Sequence, residues 1–490
     1  MATRRGIAGG TGTGQQALGG SSTMSVAAAW ERTRRAVLRA ALRHAPVVTG
    51  ALLAGGAGVI GACGAEGRLH LGRQGQGRPV SSKPPVVIRI TARQALEQDM
   101  WAARVPAFQR AYPHITVEPD LHAGNILDKI ATLIAADTIG DVVHTHPSAA
   151  QPQRQFLGGS MRALDGYIGR DKLDLRQWYP QAVEAGRLDG KVISLPFKGK
   201  MATVALFYNQ TLFEQGELAP PTLSTTLAEL AEMAIKLTRP DGSQWGLAGI
   251  LPKDLRTLTG MMRRWNAEPL SNDQRRATLH TPEARATFAW YDGALHRYRF
   301  MDPAADQTRL FREGKAAMLI NVDFNQKTSL HLAAESQGFR YGATLAPRGP
   351  TRRRGGVWIP DALQLATRSP HPDAAWLAML WFTDKETGLA LARQHSQGTS
   401  TTPGARPDVY GDPAYLDHPL FPRVLQELDR DANELPENYQ GAVPHNFRIQ
   451  EFNKVLGPAL ERLWAHEAEP TPAFLKSLNG ELQAVLELPR

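Results

Sequence analysis

The sequence contains one cysteine, Cys63, among 490 residues. A single thiol cannot form an internal disulfide, so a large apolar core has to stabilise the fold. The Gly-x-Ser-x-Gly, His-Glu-x-x-His and Gly-x-x-x-x-Gly-Lys-Ser/Thr motifs are also missing, and no pair of carboxylates is singled out by its spacing. These absences argue against an enzyme, and we expect neither a cofactor nor a metal ion.

Positive charge is in excess only at the start of the chain. The formal net charge is +9, but residues 1–62 carry +6 and residues 63–85 carry +3, which leaves residues 86–490 neutral. A high isoelectric point ordinarily indicates nucleic acid or an anionic membrane as a partner. Because the excess lies wholly in the first 85 residues, we predict no nucleic-acid partner.

Long apolar runs are equally scarce, and the one that stands out is residues 45–63. It follows the basic segment 32–43 and ends in residues 60–63, Ile-Gly-Ala-Cys, which resemble a bacterial lipobox. A small buried core thiol is the alternative for Cys63. We predict that residues 1–62 are a signal peptide that is removed. A lipid on Cys63 would then hold the exported protein on the outer face of the cytoplasmic membrane, or in the periplasm.

The export route and the start codon stay open. Residues 33–39 resemble the twin-arginine motif, but an ordinary basic segment of a general secretory signal has the same character. Met24 is an alternative start to Met1. Residues 63–85 are rich in Gly, Ser, Gln and Pro, which predicts a flexible tether between the lipid and the folded body.

The body begins with alternating strand and helix patterns. Short β-branched runs at 86–90, 115–118 and 141–144 enclose helical stretches at 95–112 and 125–136. This order predicts a parallel sheet with helices on both faces. Ligands of such sheets bind beyond the carboxyl ends of the strands, which places residues 91–94 and 144–147 at a candidate site. The mixed pattern that follows predicts a second α/β lobe.

Seven segments, taken together and in order, resemble the extracellular solute-binding proteins of ABC importers, specifically the carbohydrate-binding family that contains maltose-binding protein. Gly140 stands where the family usually has proline, and residues 311–318, Phe-Arg-Glu-Gly-Lys-Ala-Ala-Met, give the best single match. The seven segments are 108–117, 135–143, 189–196, 206–210, 311–318, 355–358 and 374–377.

The resemblance implies a two-lobed periplasmic-binding-protein type II fold, an α/β architecture with a hinge and an interlobe cleft. The chain is expected to cross between the lobes near 202–204, 357–361 and Pro403. We predict a first lobe formed by 86–201 with a return at 360–402. The second lobe would comprise 202–359 and, with C-terminal helices, 403–490.

The implied function is capture of a small solute, a mono- or oligosaccharide as the expected class, and its delivery to the permease subunits of an ABC importer. The protein would act as a monomer and perform no covalent chemistry. A solute receptor for a signalling partner and an importer component for glycerophosphate are the alternatives, and a secreted lipoprotein enzyme is the least favoured.

The resemblance also suggests binding residues. Phe324 falls where the family has a tryptophan that stacks on sugar, although Asn-Val-Asp-Phe replaces the common Asn-Gly-Pro-Trp. Asn321 and Asp323 would bond hydroxyl groups, and Trp358 would point into the cleft. Trp265 and Arg256 lie near the segment that lines the second lobe's side.

Packing in the core is the alternative for Phe324 and Trp358. If both proved to be packing residues in separate cores, the site would be sought among Tyr208, Trp245, Trp265 and Tyr439.

Strand ends supply the remaining candidates, Arg93, Gln94, His144 and His146. A His-x-His pair could bind metal, but Asp141 lies an odd number of residues away and therefore on the opposite face of the strand. We predict that the two histidines form a hydrogen-bonding wall and that no metal binds.

Overall fold

The computed structural model describes residues 84–93, 98–123, 126–147, 151–303, 307–393, 402–438, 441, 443–444 and 446–488. The signal peptide, Cys63, the tether, Gln94 and Tyr439 lie outside these residues, so the predictions made for them stay predictions. The described residues all belong to the unit Pro79–Arg490.

Two main sheets organise the described residues. The strands are β1 Val86–Arg93, β2 Ile115–His122, β3 Val142–Thr145, β4 Arg187–Leu188, β5 Lys191–Val192, β6 Leu195–Ala202, β7 Ala205–Asn209, β8 Trp245–Gly249, β9 Ala316–Val322, β10 Tyr341–Leu345 and β11 Val357–Leu365. The first sheet has the order β2-β1-β3-β11-β6, and the second has the order β10-β7-β9-β8. We call the regions built on these sheets the first and the second lobe.

The helices, in chain order, cover both sheets. They are α1 Gln98–Ala111, α2 Ile126–Ala135, α3 Gln151–Leu157, α4 Asp165–Asp171, α5 Pro180–Ala185, α6 Gln210–Gln215, α7 Leu227–Leu237, α8 Leu255–Met262, α9 Pro282–Asp292, α10 Gln307–Arg312, α11 Lys327–Gln337, α12 Pro372–Phe382, α13 Lys385–Ala392, α14 Pro407–Tyr410, α15 Pro413–Leu416, α16 Arg423–Glu434, α17 Ile449–Trp464 and α18 Pro472–Leu486. None of the helices in the described part of the chain combines the length and the apolar character that crossing a bilayer requires.

The strand–helix alternation predicted at the start of the body is observed. β1 pairs in parallel with both β2 and β3, and α1 and α2 connect these strands. Residues Ile88 and Ile90 of β1 and Val142 and Val143 of β3 are fully buried. The sequences of such strands are continuous apolar runs, because helices cover both faces of a parallel sheet and bury the side chains on each.

Local sequence signals explain the helix boundaries. The α7 helix begins at a capping box, in which the Thr226 side chain accepts from the Glu229 backbone and the Glu229 carboxylate accepts from the Thr226 backbone. Its residues Leu227, Leu230, Ala234 and Leu237 are buried along one face. Helix α9 ends at Asp292, and a π-helical turn, Gly293–Arg297, follows it directly.

The chain passes between the sheets twice within short segments. β6 of the first sheet and β7 of the second are joined by residues 203–204 alone, and Thr203 has a positive φ of 63°. The return runs from β10 to β11 through residues 346–356. Gly355 has a φ of 78°, and a Cβ there would lie 2.4 Å from the Gly260 carbonyl oxygen, so this close approach requires glycine. The two sheets therefore meet along short connections.

Candidate functional site

A polar cluster lies at the carboxyl ends of β1 and β3, beside the middle of β6. β11 runs antiparallel between β3 and β6, and its residue Asp361 pairs in register with Lys198. The neighbouring pair, Ala362 with Thr145, brings Asp361 beside His146. His146 Nδ1 lies 2.5 Å from Asp361 Oδ1. His144 Nε2 and Lys198 Nζ each lie 3.3 Å from Asp361 Oδ2.

Arg93 extends this cluster from the end of β1. Its Nη2 lies 3.0 Å from His146 Nε2, so five side chains form one connected group. Hereafter "the polar cluster" means Arg93, His144, His146, Lys198 and Asp361. The structure thus brings three of the predicted strand-end residues together, and their role in binding stays a prediction.

The electrostatics of the cluster centre on Asp361. Burial by itself raises the pKa of this carboxyl group, but the charges of His146 and Lys198 and hydrogen bonds from both histidines act in the opposite direction and prevail. The pKa of Asp361 therefore lies well below its ordinary value. Asp361 is consequently a carboxylate that accepts hydrogen bonds in the neutral pH range.

His144, His146 and Asp361 offer ligand atoms that all lie within 4.8 Å of one another. The carboxylate that sequence reasoning did not find is thus supplied by β11. A metal ion would nevertheless face the Lys198 ammonium group 3.3 Å from Asp361 and the Arg93 guanidinium 3.0 Å from His146. Two cationic side chains already balance the carboxylate, so the cluster suits a polar solute better than a metal cation.

Lys200, two residues beyond Lys198 on β6, contacts the second lobe. Its Nζ lies 2.9 Å from Asp323 Oδ2, and Asp323 Oδ1 accepts from the Asn325 backbone at the start of the 3₁₀ turn after β9. Residues two apart on a strand point to the same side. Asp323, a predicted binding residue, therefore joins the lobes beside the polar cluster.

Phe324 and Trp358 are both fully buried in this structure. The Phe324 ring packs against Phe207 at a centroid distance of 5.8 Å, and the Trp358 ring packs against Tyr179 at 5.1 Å. Both belong to one apolar core that includes residues of both sheets, so they do not lie in separate cores. Neither ring presents an open face here, and stacking of a sugar on either of them stays a prediction.

Three predicted residues lie apart from the polar cluster. Asn321 is buried and fully bonded: its Oδ1 accepts from Arg264 at 2.6 Å, and its Nδ2 donates to the Ile250 carbonyl at 3.2 Å. Trp265 lines a cavity of about 980 Å³ together with Trp290 and Arg348. Arg256 is half-buried on α8, with Nη2 3.6 Å from Asp254. The structure does not bring these three residues to the strand ends.

Sequence reasoning missed Lys198, Lys200 and Asp361. A usable signal was present for the lysines, because Lys-Gly-Lys at 198–200 is an unusual charge pattern in an otherwise apolar strand. The sequence signal for Asp361 was weaker, since a single carboxylate in a strand does not show which strand will lie beside it. Its partner His146 is 215 residues away.

A second interlobe contact joins α3 of the first lobe to α17 of the second. Arg154 donates to the Phe447 carbonyl from Nε at 3.0 Å and from Nη2 at 2.6 Å. The same Nη2 lies 2.9 Å from Glu451 Oε2, and the guanidinium lies over the Phe447 ring. The lobes therefore touch at this rim as well as at Lys200 and Asp323.

Comparison with known proteins gives a consistent result. The family model described as "Bacterial extracellular solute-binding protein" matches residues 103–423. A putative binding protein of Brucella abortus is 26% identical over 392 residues, which cover 78% of this chain and 88% of that protein. The mannitol-binding protein of Pseudomonas aeruginosa is 26% identical over 267 residues, covering 51% of this chain and 58% of that protein.

Among solved structures, the ABC substrate-binding protein Lmo0181 of Listeria monocytogenes, in complex with cycloalternan, superposes with a TM-score of 0.67. The match covers 83% of this chain and 100% of that chain, at 17% sequence identity. This likeness confirms the predicted two-lobed α/β fold. The exact domain boundaries given from the sequence stay predictions.

Proposed function

Because the chain belongs to the bacterial extracellular solute-binding proteins, we propose that it captures a small polyhydroxylated solute, above all a mono- or oligosaccharide. We further propose that it delivers this solute to the permease of an ABC importer. Membership in an extracellular family means that the chain is exported. Relatives that bind mannitol and cycloalternan support a carbohydrate or polyol ligand. This role involves no covalent chemistry, so the proposal treats the chain as a binding protein and not as an enzyme.

The observation that carries the proposal is the polar cluster and its unsatisfied donor. Arg93 Nε is buried and has no hydrogen-bond partner among the described residues. A buried donor of this kind requires a partner, and a solute hydroxyl would supply one. Hydroxyl groups both donate and accept, and the cluster offers donors in Arg93 and Lys198 and an acceptor in Asp361.

The position of the cluster supports solute binding as well. It lies beyond the carboxyl ends of parallel strands, where α/β sheets bind ligands, and next to the Lys200–Asp323 link with the second lobe. Lobes joined by short connections close on a ligand by hinge motion. A solute that contacts both lobes would shift the equilibrium toward closure by the extra affinity it gains in the closed form.

A glycerophosphate ligand is the second candidate, and the charge at the site favours it. Arg93, Lys198 and Lys200 carry three positive charges against the two carboxylates Asp361 and Asp323. A phosphate group would be attracted to this excess. Its binding should weaken markedly as salt is raised, whereas binding of a neutral sugar should not.

Isothermal titration calorimetry on the full chain with Cys63→Ser tests the proposal with sugars, polyols and glycerophosphates. We expect Arg93→Gln to weaken binding of the active solute about 10- to 100-fold, because a charge-assisted hydrogen bond is lost. Arg89→Gln is the matched control, because Arg89 lies on the same strand but pairs with Asp120. The solute affinity of this variant should stay near that of the wild type.

Two results would contradict the proposal. Tight binding of a peptide, with no affinity for any sugar, polyol or glycerophosphate, would overturn the solute class. Wild-type sugar affinity in Arg93→Gln would show instead that the solute binds away from the polar cluster.

A further inference from the structure

The second lobe carries a group of metal-ligating side chains outside the polar cluster. Asp292 ends α9, His296 lies in the π-helical turn Gly293–Arg297, and His466 lies just past the end of α17. Their ligand atoms all lie within 4.8 Å of one another. The ring centroids of His296 and His466 are 4.3 Å apart.

Local structure explains why these residues meet. Asp292 and His296 are four residues apart, which places them on one face of a helix. The π-helical turn that carries His296 is a rare element found frequently at functional sites. Trp464 at the end of α17 stacks on Phe288 of α9 with ring centroids 6.3 Å apart. This packing holds the two helix ends together and brings His466 to the pair.

The Asp292 carboxylate needs a cationic or donating partner. Its Oδ1 is buried and accepts no hydrogen bond within the part of the chain that the structure describes. A buried polar atom without a partner is costly. A negative charge close to the C-terminal end of a helix is disfavoured further by the helix dipole. A bound cation would relieve both costs.

His296 has a ring nitrogen available for such a cation. Its Nε2 lies 3.4 Å from the Leu463 carbonyl oxygen. A carbonyl only accepts, so this contact requires the proton to be on Nε2, which leaves a lone pair on Nδ1 of the neutral ring. Histidines that bind metals commonly donate their other N–H to a backbone carbonyl or a carboxylate in this way.

We propose that Asp292, His296 and His466 bind a divalent transition-metal ion, and that Zn²⁺ fits this donor set best. Two imidazoles and one carboxylate are typical zinc ligands, whereas Mg²⁺ and Ca²⁺ prefer oxygen atoms alone. Three protein ligands leave a position for water. The ion would fasten the end of α9 to the end of α17 within the second lobe. This role is separate from solute capture.

The experiment uses the full chain with Cys63→Ser, produced without a histidine tag and freed of metal with a chelator. Cobalt(II) binding is followed by visible absorption and zinc binding by competition. We expect one ion per chain and a metal-dependent rise in the melting temperature. His466→Gly should weaken binding at least tenfold, since loss even of an outer-shell partner costs 10- to 100-fold. Glycine suits the φ of 59° at this position, so this variant should fold.

His296→Gln should have the same effect as His466→Gly, whereas the exposed His280→Gln should bind the metal like the unsubstituted chain. Absence of saturable cobalt or zinc binding would overturn the proposal. So would unchanged affinity in His466→Gly, or loss of binding only when His144 and His146 are replaced, because the metal would then occupy the polar cluster.

Discussion

At the scale of single residues, Asp361 organises the candidate site. It is a largely buried carboxylate that faces two histidines and Lys198, and the lysine side chain is only 5% exposed. Removing one member of a buried ion pair leaves the other charge without compensation, which costs about 3–5 kcal/mol. Arg264 in the second lobe is a different case, because its fully buried guanidinium donates to neutral acceptors, namely Asn321, Tyr291 and two backbone carbonyls.

Asp361 should make stability depend on pH in a defined direction. Because its pKa is lower in the folded than in the unfolded chain, its contribution is fully present above the unfolded value of about 3.9. The contribution is lost as pH falls through the folded value. At pH 7 we expect Asp361→Asn to lower the free energy of unfolding by about 3–5 kcal/mol.

Urea unfolding measured from about pH 6 down to about pH 2 tests this expectation. The difference between the wild type and Asp361→Asn should shrink as the medium is acidified below about pH 4. Asp99→Asn, which removes an exposed carboxylate at the start of α1, serves as the control. A wild-type–Asp361→Asn difference that is constant over the whole range would contradict the ionised, paired state of Asp361.

At the scale of elements, β11 and α17 bring residues from distant parts of the sequence into contact. β11 inserts antiparallel between β3 and β6 and thereby places Asp361 beside the end of β3 and the middle of β6, two strands that precede it in the chain. α17 packs on α8, with Asn453 accepting from the Leu255 backbone, and its first turn receives Arg154 from α3. These two late elements therefore complete the candidate site and the interlobe rim.

The contact between α3 and α17 should favour the closed arrangement of the lobes. Arg154 is about one-quarter exposed, so we take its contribution as about 1 kcal/mol after allowing for solvent screening. Arg154→Ala should therefore lower solute affinity about fivefold. It should also increase the radius of gyration of the solute-free protein in small-angle X-ray scattering.

Arg162→Ala is the matched control, because the hydrogen bonds that the Arg162 side chain makes to described residues go to the Ala366 and Thr367 carbonyls of its own lobe. Its solute affinity and its scattering profile should equal those of the wild type. If Arg154→Ala and Arg162→Ala behave alike, the rim contact does not stabilise the closed form.

At the scale of the whole molecule, charge and apolar sequence are distributed unevenly, because the basic excess and the long apolar run of the predicted signal peptide and tether both precede a neutral body. Residues 86–490 carry no net charge, and the basic excess precedes them. A solute-binding protein that serves one permease gains from staying near the membrane, since tethering raises the effective concentration at its partner. The predicted lipid on Cys63 and the tether 63–85 would provide this proximity.

Cys63→Ala should abolish membrane attachment or leave an uncleaved precursor, because both the lipid and the processing site depend on that thiol. Membrane fractionation and intact-mass measurement of the mature protein check this expectation. Wild-type protein with an unmodified Cys63, or a variant that fractionates with the membrane as the wild type does, would contradict the anchor.

Much of the fold follows from short-range patterns in the sequence. The strands predicted at 86–90 and 115–118 are observed at 86–93 and 115–122, and they could be predicted because apolar, β-branched patterns act within a few residues. The same holds for Arg93, His144 and His146, whose place at strand ends needs only the strand boundaries and the rule for parallel sheets. The second lobe and the hinge were predicted from the resemblance to family motifs.

The tertiary structure alone decided which side chains face one another. Asp361 meets His146 across 215 positions of sequence, and Arg154 meets Glu451 across 297. Asn321 lies only two residues from Asp323, yet it is bonded inside the second lobe while Asp323 reaches the first. Such pairings depend on strand order and helix packing, and a local pattern contains no information about either. The sequence by itself therefore determined the elements and the class of protein, and long-range packing determined the composition of the site.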